Sequence, residues 1–414
     1  MFTLQPRHRL DIHLRHFAYA LVAGTWARKP ERLSARLEAL WSPGGQGLAC
    51  RSVRSGFHLL LESLALPAGS EVLVSAVTHP DMVRILEAHG LVAVPVDLEV
   101  ATLAPRLDLA ERLVTPRTAA MLVAHLFGGR LAMGPLAAFA ERNRLLLWED
   151  CAQAFAGAHT GDPMADVSMY SFGALKTCTA LGGALLNVQD PSLLARMRAT
   201  QFRWRLQSRR TYAESVLKFL AFTLITRPFP YGVLAAIHGT LGRDFDRTVN
   251  TSVKAFRPGP LLSQLEARPS APLLAMLAYR LRTFDDARLR RRAAAGEWLN
   301  ARLPGHLTLA GHQMESRTHW LFPIISREPD QLILACRRAG VDGARGASSV
   351  TVVPAPAGRP EADPVAARQM MAGLVFLPAY PELPRRSLVL LVEAAEGAGR
   401  NLRITRRPGR VMQS

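Results

Sequence analysis

The sequence predicts an α/β protein in which a mostly parallel sheet is sandwiched by helices, followed by a smaller C-terminal α/β domain. Three observations predict it. Between residues 57 and 149, short apolar runs alternate with stretches of helical period. The apolar runs lack polar alternation, as strands buried on both faces do. The length of 414 residues is more than one hydrophobic core ordinarily serves.

Residues 1–45 read as an N-terminal arm, 46–255 as the large domain and 256–414 as the small one. Ser55-Gly56 opens a helix over 57–66. A strand over 71–77 leads into a helix over 80–89 that starts at Pro80. Residues 92–96 form a strand ending at Asp97, 107–113 a helix, and 119–124 a strand ending at His125. A helix over 135–142 and a strand over 145–149 complete this half. Ligands of such sheets bind beyond the carboxyl ends of the strands. His79, His125 and Asp150 all follow predicted strand ends, which points to one shared site. Further along, 270–303 reads as one long helix or a helix pair, 320–325 as a strand, and 330–339 and 388–395 as helices. The Pro/Gly-rich stretch 354–364 is a loop.

Two apolar runs, 216–225 and 231–241, flank Arg227-Pro228-Phe229-Pro230 and read as a helical hairpin over about 213–241. Each is shorter than the ~20 residues that cross a bilayer. The flanking Arg203, Arg205, Arg209, Arg210, Arg227 and Arg243 suit an interfacial anchor. A hairpin packed on the body or on a dimer partner is the plainer reading.

The formal charge of +18 reflects arginine scattered along the helices rather than a nucleic-acid motif with interleaved aromatics, so no nucleic-acid partner is expected. Cys50, Cys151, Cys178 and Cys336 show neither metal-ligand spacing nor a disulfide framework. A reducing cytoplasm and no metal are therefore expected. The apolar stretch 17–22 is too short for a signal sequence.

Lysine is nearly absent from this arginine-rich chain: Lys29, Lys176, Lys218 and Lys254 are the only ones. Lys176 sits in Ser171-Phe172-Gly173-Ala174-Leu175-Lys176, ahead of Gly182-Gly183. The apolar run before it ends in Glu149-Asp150-Cys151-Ala152-Gln153. A lysine on a small-residue turn, downstream of a strand ending in a carboxylate, suits pyridoxal phosphate. The amine links to the cofactor, and the carboxylate keeps the pyridine nitrogen protonated.

Together with Gly161-Asp162 between them, these segments resemble the signature of the DegT/DnrJ/EryC1/StrS aminotransferases, a fold-type-I group. The resemblance implies further roles. Lys176 would be both the cofactor's covalent anchor and the proton-moving group, and Asp150 the partner of the pyridine nitrogen. Gln153 would contact the ring hydroxyl, and His79 would stand where an aromatic residue stacks on the cofactor. Ser55-Gly56-Phe57 is similar to the family's Ser-Gly-Thr turn, so the backbone N–H groups of Gly56 and Phe57 would take the phosphate. Ser171 would donate to the same phosphate. His125, in Ala124-His125-Leu126-Phe127-Gly128, would line the site or simply pack at the strand end. Glu266-Ala267-Arg268 replaces an asparagine-bearing segment that reaches the partner's phosphate. Arg268 is then the candidate for that duty.

By resemblance the chain is an aminotransferase that moves an amino group from an amino acid, with glutamate expected, to a keto-sugar, nucleotide-linked and soluble. A homodimer with composite sites is implied. A non-sugar or lipid-like carbonyl, recruited by the apolar hairpin at a membrane surface, is the alternative acceptor. A protein that binds the cofactor without turnover is the alternative class.

Overall fold

The computed structural model describes residues 3–240, 261–345 and 349–405. Two helices come first, α1 (Leu14–Trp26) and α2 (Pro30–Trp41). The sheet region then follows as β1 (Gly47–Cys50), α3 (Val53–Leu64), β2 (Glu71–Ser75), α4 (Pro80–Ala88), β3 (Val92–Val96), α5 (Leu107–Leu113), β4 (Thr118–Ala124), α6 (Met133–Arg142), β5 (Leu146–Asp150), β6 (Val167–Ser171) and β7 (Ala184–Val188). The seven strands lie in the order β1-β7-β6-β5-β4-β2-β3. Neighbours from β3 to β6 run parallel, and β7 is antiparallel to both β6 and β1.

Both faces of this sheet are apolar, which is why its strands do not alternate in polarity. Val72 and Val74 join Phe57, Ile85 and Trp148 on one side. Leu73 joins Val94, Val123 and Phe139 on the other. Each face is thus sealed by helices, and only the strand ends open to solvent.

After β7 come α7 (Pro191–Arg203), α8 (Arg209–Ile225) and α9 (Pro228–Thr240). Then follow α10 (Ala271–Arg282), α11 (Asp286–Asn300), β8 (Thr308–Leu309), β9 (Phe322–Ile325), α12 (Pro329–Arg338), α13 (Val365–Gly373), β10 (Leu374–Leu377) and α14 (Arg385–Thr405). The strands β8, β9 and β10 form a small antiparallel sheet around its own core of Phe322, Ile324, Val375 and Leu391.

Several elements differ from expectation for identifiable reasons. The expected arm holds two helices, because Phe17, Ala20 and Leu37 bury into a core shared with Leu273 and Leu277 of α10. The stretch 270–303 is a helix pair, broken where Asp285 caps α11 by accepting from the Arg288 N–H. Strand β2 stops at Ser75, and Val77-Thr78 instead pairs antiparallel with Thr351-Val352. The expected division at residue 255/256 and the flanking Arg243 lie outside the described residues.

Helices α8 and α9 realise the apolar hairpin. No single described helix is long and apolar enough to cross a membrane, and the two are bent by 85° at their break. Tyr212, Val216 and Phe219 pack inward beside α1, while Leu217, Leu224, Ile225 and Phe229 stay exposed.

Candidate active site

The parallel strands deliver their carboxyl ends to one place. Strand β5 ends on Asp150, β4 is followed by His125, and β6 ends on Ser171. The loop after β6 carries Lys176. It is cinched by Phe172, whose N–H donates to Gly183 O and whose carbonyl accepts from Ala180 N–H, Gly182 N–H and the Thr179 hydroxyl. Such a tight loop needs left-handed backbone at Gly182 (φ 155°) and Gly183 (φ 88°).

Burial pulls the Lys176 amine down to about 8, with Asp150 resisting and the Arg54 guanidinium adding to the fall. The amine also lies 4.3 Å from the centre of the Trp320 ring. That ring is fixed by its own N–H, which donates to Leu175 O at 2.8 Å. Asp150 shows the opposite shift. Burial raises its carboxyl above the ordinary value, against the opposing pull of the Ala152 N–H, Lys176 and His125. A buried carboxylate of this kind is suited to a cationic partner.

His79 caps α4, its Nδ1 accepting from the Asp81 N–H at 3.1 Å. Burial holds its ring at about 4, helped by Arg54 and Lys176 and opposed by Asp81. The ring is therefore neutral at physiological pH, and flat. Gln153 accepts from the Phe127 N–H at 2.9 Å through Oε1, so its amide nitrogen is the end left to donate. The Ser171 hydroxyl stays at the start of the lysine loop, 3.4 Å from the Gly173 nitrogen. His125 is engaged at both nitrogens. Nδ1 accepts from the Leu131 N–H at 3.1 Å, and Nε2 donates to Glu149 at 2.9 Å. Glu149 is held in turn by the Ser168 hydroxyl and the Asp162 N–H. The geometry favours the packing role for His125. Glu149 and Cys151 also lie within 4.8 Å of it, but these hydrogen bonds already occupy the ring and the carboxylate.

The helix start expected at Ser55-Gly56-Phe57 lies one turn earlier. Ser52 is the N-cap of α3 and accepts from the Ser55 N–H at 3.1 Å, while the Gly56 N–H donates to Ser52 O at 2.9 Å. The first position of this turn is therefore Val53, whose N–H has no partner within the helix. Gly56 is a glycine for packing: a Cβ there would meet Leu186 Cδ1 at 2.8 Å. Phe57 is fully buried, edge-on to Trp148 at 5.9 Å. The Gly56 N–H is thus used within the helix, and Arg54 in the first turn brings a guanidinium anchored to Asp81 at 2.7 Å.

Sequence reasoning also missed Trp320, Arg292 and Asp11. The Asp11 carboxylate accepts from the Cys178 N–H at 2.7 Å and so braces the lysine loop from the chain's beginning. Burial opposes its ionisation, but Arg288, Arg280 and that N–H outweigh it and lower its pKa. Glu266 and Arg268 lie elsewhere on this protomer. Glu266 is 3.7 Å from His58, and Arg268 pairs with Glu31 at 3.2 Å. Arg268 lines a groove with Pro30, Phe202 and Leu274, apart from Lys176.

The residues present fit pyridoxal phosphate. Lys176 can be uncharged near neutral pH, Asp150 is a buried carboxylate, and His79 offers a neutral flat ring. The first turn of α3 offers the Val53 N–H, a positive dipole end and the Arg54 guanidinium for a phosphate.

The chain matches the model of the DegT/DnrJ/EryC1/StrS aminotransferase family over residues 28–221. It is 29% identical over 198 residues to GDP-perosamine synthase of Caulobacter vibrioides, covering 46% of this chain and 53% of that protein. It is 30% identical over 174 residues to the UDP-4-amino-4-deoxy-L-arabinose–oxoglutarate aminotransferase of Shewanella sediminis, covering 41% and 45%. The chain thus spans about half the length of the curated relatives it matches. The crystal structure of the aminotransferase TlmJ from Streptoalloteichus hindustanus superposes with a TM-score of 0.69 at 19% identity, covering 96% of this chain and all of that one. The overall fold is therefore the fold-type-I architecture.

Proposed function

We propose that the chain, which matches the model of the DegT/DnrJ/EryC1/StrS aminotransferase family over residues 28–221, is a pyridoxal-phosphate-dependent aminotransferase of that family. The observation that carries this reading is the juxtaposition of half-buried Lys176, on the loop after β6, with buried Asp150 at the end of β5; burial shifts each pKa, and the charge of each shifts the other's back. Bound there, pyridoxal phosphate supplies an electron sink for the carbon that bears the transferred amine. Lys176, with its amine at about 8, would hold the cofactor covalently and, once released, move the proton at that carbon. Asp150 keeps the pyridine nitrogen protonated. The Val53 N–H, the Arg54 guanidinium and the Ser171 hydroxyl would take the phosphate. Gln153 donates its free amide end, and His79 provides the ring that stacks.

The donor in this reading is an amino acid, with glutamate first, and the acceptor a nucleotide-linked keto-sugar. Support comes from the names of the relatives, which specify nucleotide sugars and oxoglutarate. The test is to load the protein with pyridoxal phosphate, reduce with borohydride and map the labelled peptide. The label is expected on Lys176, and loading is expected to quicken as pH rises through about 8, because only the unprotonated amine attacks. A label on Lys29, Lys218 or Lys254 would remove the assignment. In a separate, unreduced sample glutamate should convert the bound cofactor to its amine form, and a protein without turnover leaves it unchanged.

A second reading, for an apolar acceptor at a membrane surface, rests on the exposed apolar residues of α8 and α9 beside the exposed Leu21, Val22 and Trp26 of α1. Helix α8 is tied to α1 by Arg209, which donates to Gly24 O. On this reading the protein sediments with anionic vesicles and is released by salt, since screening removes the attraction of the arginines. If the face is instead buried in a homodimer, which the proposed function also includes, the protein ignores vesicles. Truncating Phe222 then lowers the dimer fraction in light scattering. Absence of sedimentation with anionic and neutral vesicles alike rules out the membrane reading.

A further inference from the structure

His58 is a buried imidazole with one nitrogen left over. It lies on α3 with 3% of its surface exposed. Its Nδ1 is hydrogen-bonded to His89 Nε2 at 2.8 Å, which ties α3 to the end of α4. Trp204 stacks on the ring at 5.4 Å, nearly parallel to it, and fixes its plane. Nε2 is sealed from solvent and has no hydrogen-bond partner among the described residues. Buried polar atoms are ordinarily satisfied, so an orphan of this kind calls for a physical reason.

The surroundings of Nε2 supply one. Two carboxylates stand just beyond hydrogen-bond reach, Glu266 at 3.7 Å and Glu62 at 3.8 Å. Burial raises the Glu62 carboxyl, and the Glu266 charge adds to the rise, against Arg203 and the Trp204 N–H. His58 itself is held neutral, pushed down to about 4 by burial and then by His89. A neutral ring that donates from Nδ1 to His89 turns the Nε2 lone pair toward both carboxylates. Three electron-pair donors then converge with no cation between them. A proton placed on Nε2 instead is buried with no acceptor in reach.

We propose that His58, Glu62 and Glu266 form a binding site for a zinc-like divalent ion, with His89 orienting the ligating ring. His58 and Glu62 stand four apart on one helix, and Glu266 arrives directly after the short helix Leu261–Leu265. The ion staples that segment to α3. One imidazole and two carboxylates suit zinc better than magnesium or calcium, which take oxygen ligands. Tetrahedral zinc with bonds of about 2.0–2.2 Å holds its ligand atoms about 3.4 Å apart, a little closer than the separations here. The Glu62 and Glu266 side chains are 39% and 46% exposed, so both can swing onto the ion. A hydrogen bond at the second ring nitrogen is the usual support of a metal-binding histidine, and His89 provides it. None of these residues takes part in the function proposed above.

The experiment titrates zinc alone into the whole chain after a chelator has stripped it of metal. Calorimetry of the native protein should show a single tight equivalent of zinc and no comparable heat from magnesium or calcium. Glu62→Gln and Glu266→Gln keep the shape of partly exposed side chains, so the fold should persist, and circular dichroism checks that. Each should weaken zinc binding by about 10-fold or more, since losing even an outer-shell partner of a metal ligand costs about 10–100-fold. His89→Ala removes only the orienting partner and should weaken zinc on the same scale. Zinc should raise the melting temperature of the native chain and leave that of the double glutamate variant unmoved. Absence of a zinc equivalent in the native chain overturns the proposal. So does zinc binding that both glutamate variants retain in full, which places the ion elsewhere, on His125, Glu149 and Cys151 for instance. Equal binding of magnesium or calcium overturns it too, since the imidazole then has no part in the choice of ion.

Discussion

Replacing Lys176 by alanine is expected to abolish turnover, with a loss of about 10⁴-fold or more. Proton transfer by a positioned side chain alone accounts for up to about 10⁴-fold, and this lysine also supplies the covalent link. Among the described residues the other lysines stand on other elements: Lys29 precedes α2 and Lys218 lies on α8. The fold should survive, because the substitution removes a buried amine whose charge is disfavoured by its surroundings. Circular dichroism would confirm that, while single-turnover kinetics with glutamate reads the loss. A variant within tenfold of native activity would show that Lys176 is not the group that moves the proton.

Asp150→Asn should cost on the order of 10²-fold or more in the half-reaction, by analogy with removing one positioned electrostatic partner. The amide keeps the shape, and its oxygen can still accept from the Ala152 N–H, as Asp150 does at 3.0 Å. What disappears is the negative charge that holds a proton on the pyridine nitrogen. Stability provides an independent readout. Burial raises the Asp150 carboxyl in the folded chain, so its contribution to stability is full below the ordinary carboxylate range. That contribution is lost as pH rises through the raised value. At neutral pH the cofactor-free variant should therefore melt no lower than the native chain, and above it if the burial cost dominates. Cofactor should raise the melting temperature of the native protein more than that of the variant. A near-native half-reaction rate in Asp150→Asn would mean that the ring nitrogen has another partner.

The parts of the site that were legible in the sequence are those fixed by local order. Asp150 ends a strand and Lys176 sits on the next loop but one, so strand ends and turn residues alone bring them together. The parallel sheet was legible for the same reason, since its strands are uninterrupted apolar runs. The phosphate turn was misplaced because Ser52 and Ser55 are both plausible caps. What decides between them is the contact of Gly56 with Leu186, far along the chain. The role of His125 depends on Glu149 and Leu131 closing on its two nitrogens, which composition does not reveal. Arg292 was hidden within an arginine-rich run. Helical phase turns Arg288 and Arg292 inward and leaves Arg291 outward. That phase is set by the Asp285 cap at the start of α11. Helices α1 and α2 went unread because their burial depends on α10, a distant partner.

The bracing of the lysine loop by Asp11 bears on the order in which the protein is made. Asp11 bonds to Cys178 across 167 positions and to Arg288 across 277. The ribosome releases the acidic anchor first, the lysine loop in mid-synthesis and the arginines that balance the anchor well afterwards. Until residue 288 has emerged, the nascent chain carries the anchor and the lysine but not the guanidinium groups that steady them. Contacts of such long sequence separation form late in folding. The reactive loop is therefore among the last parts of the molecule to be locked, and a chain interrupted before α11 has its reactive lysine but not its clasp.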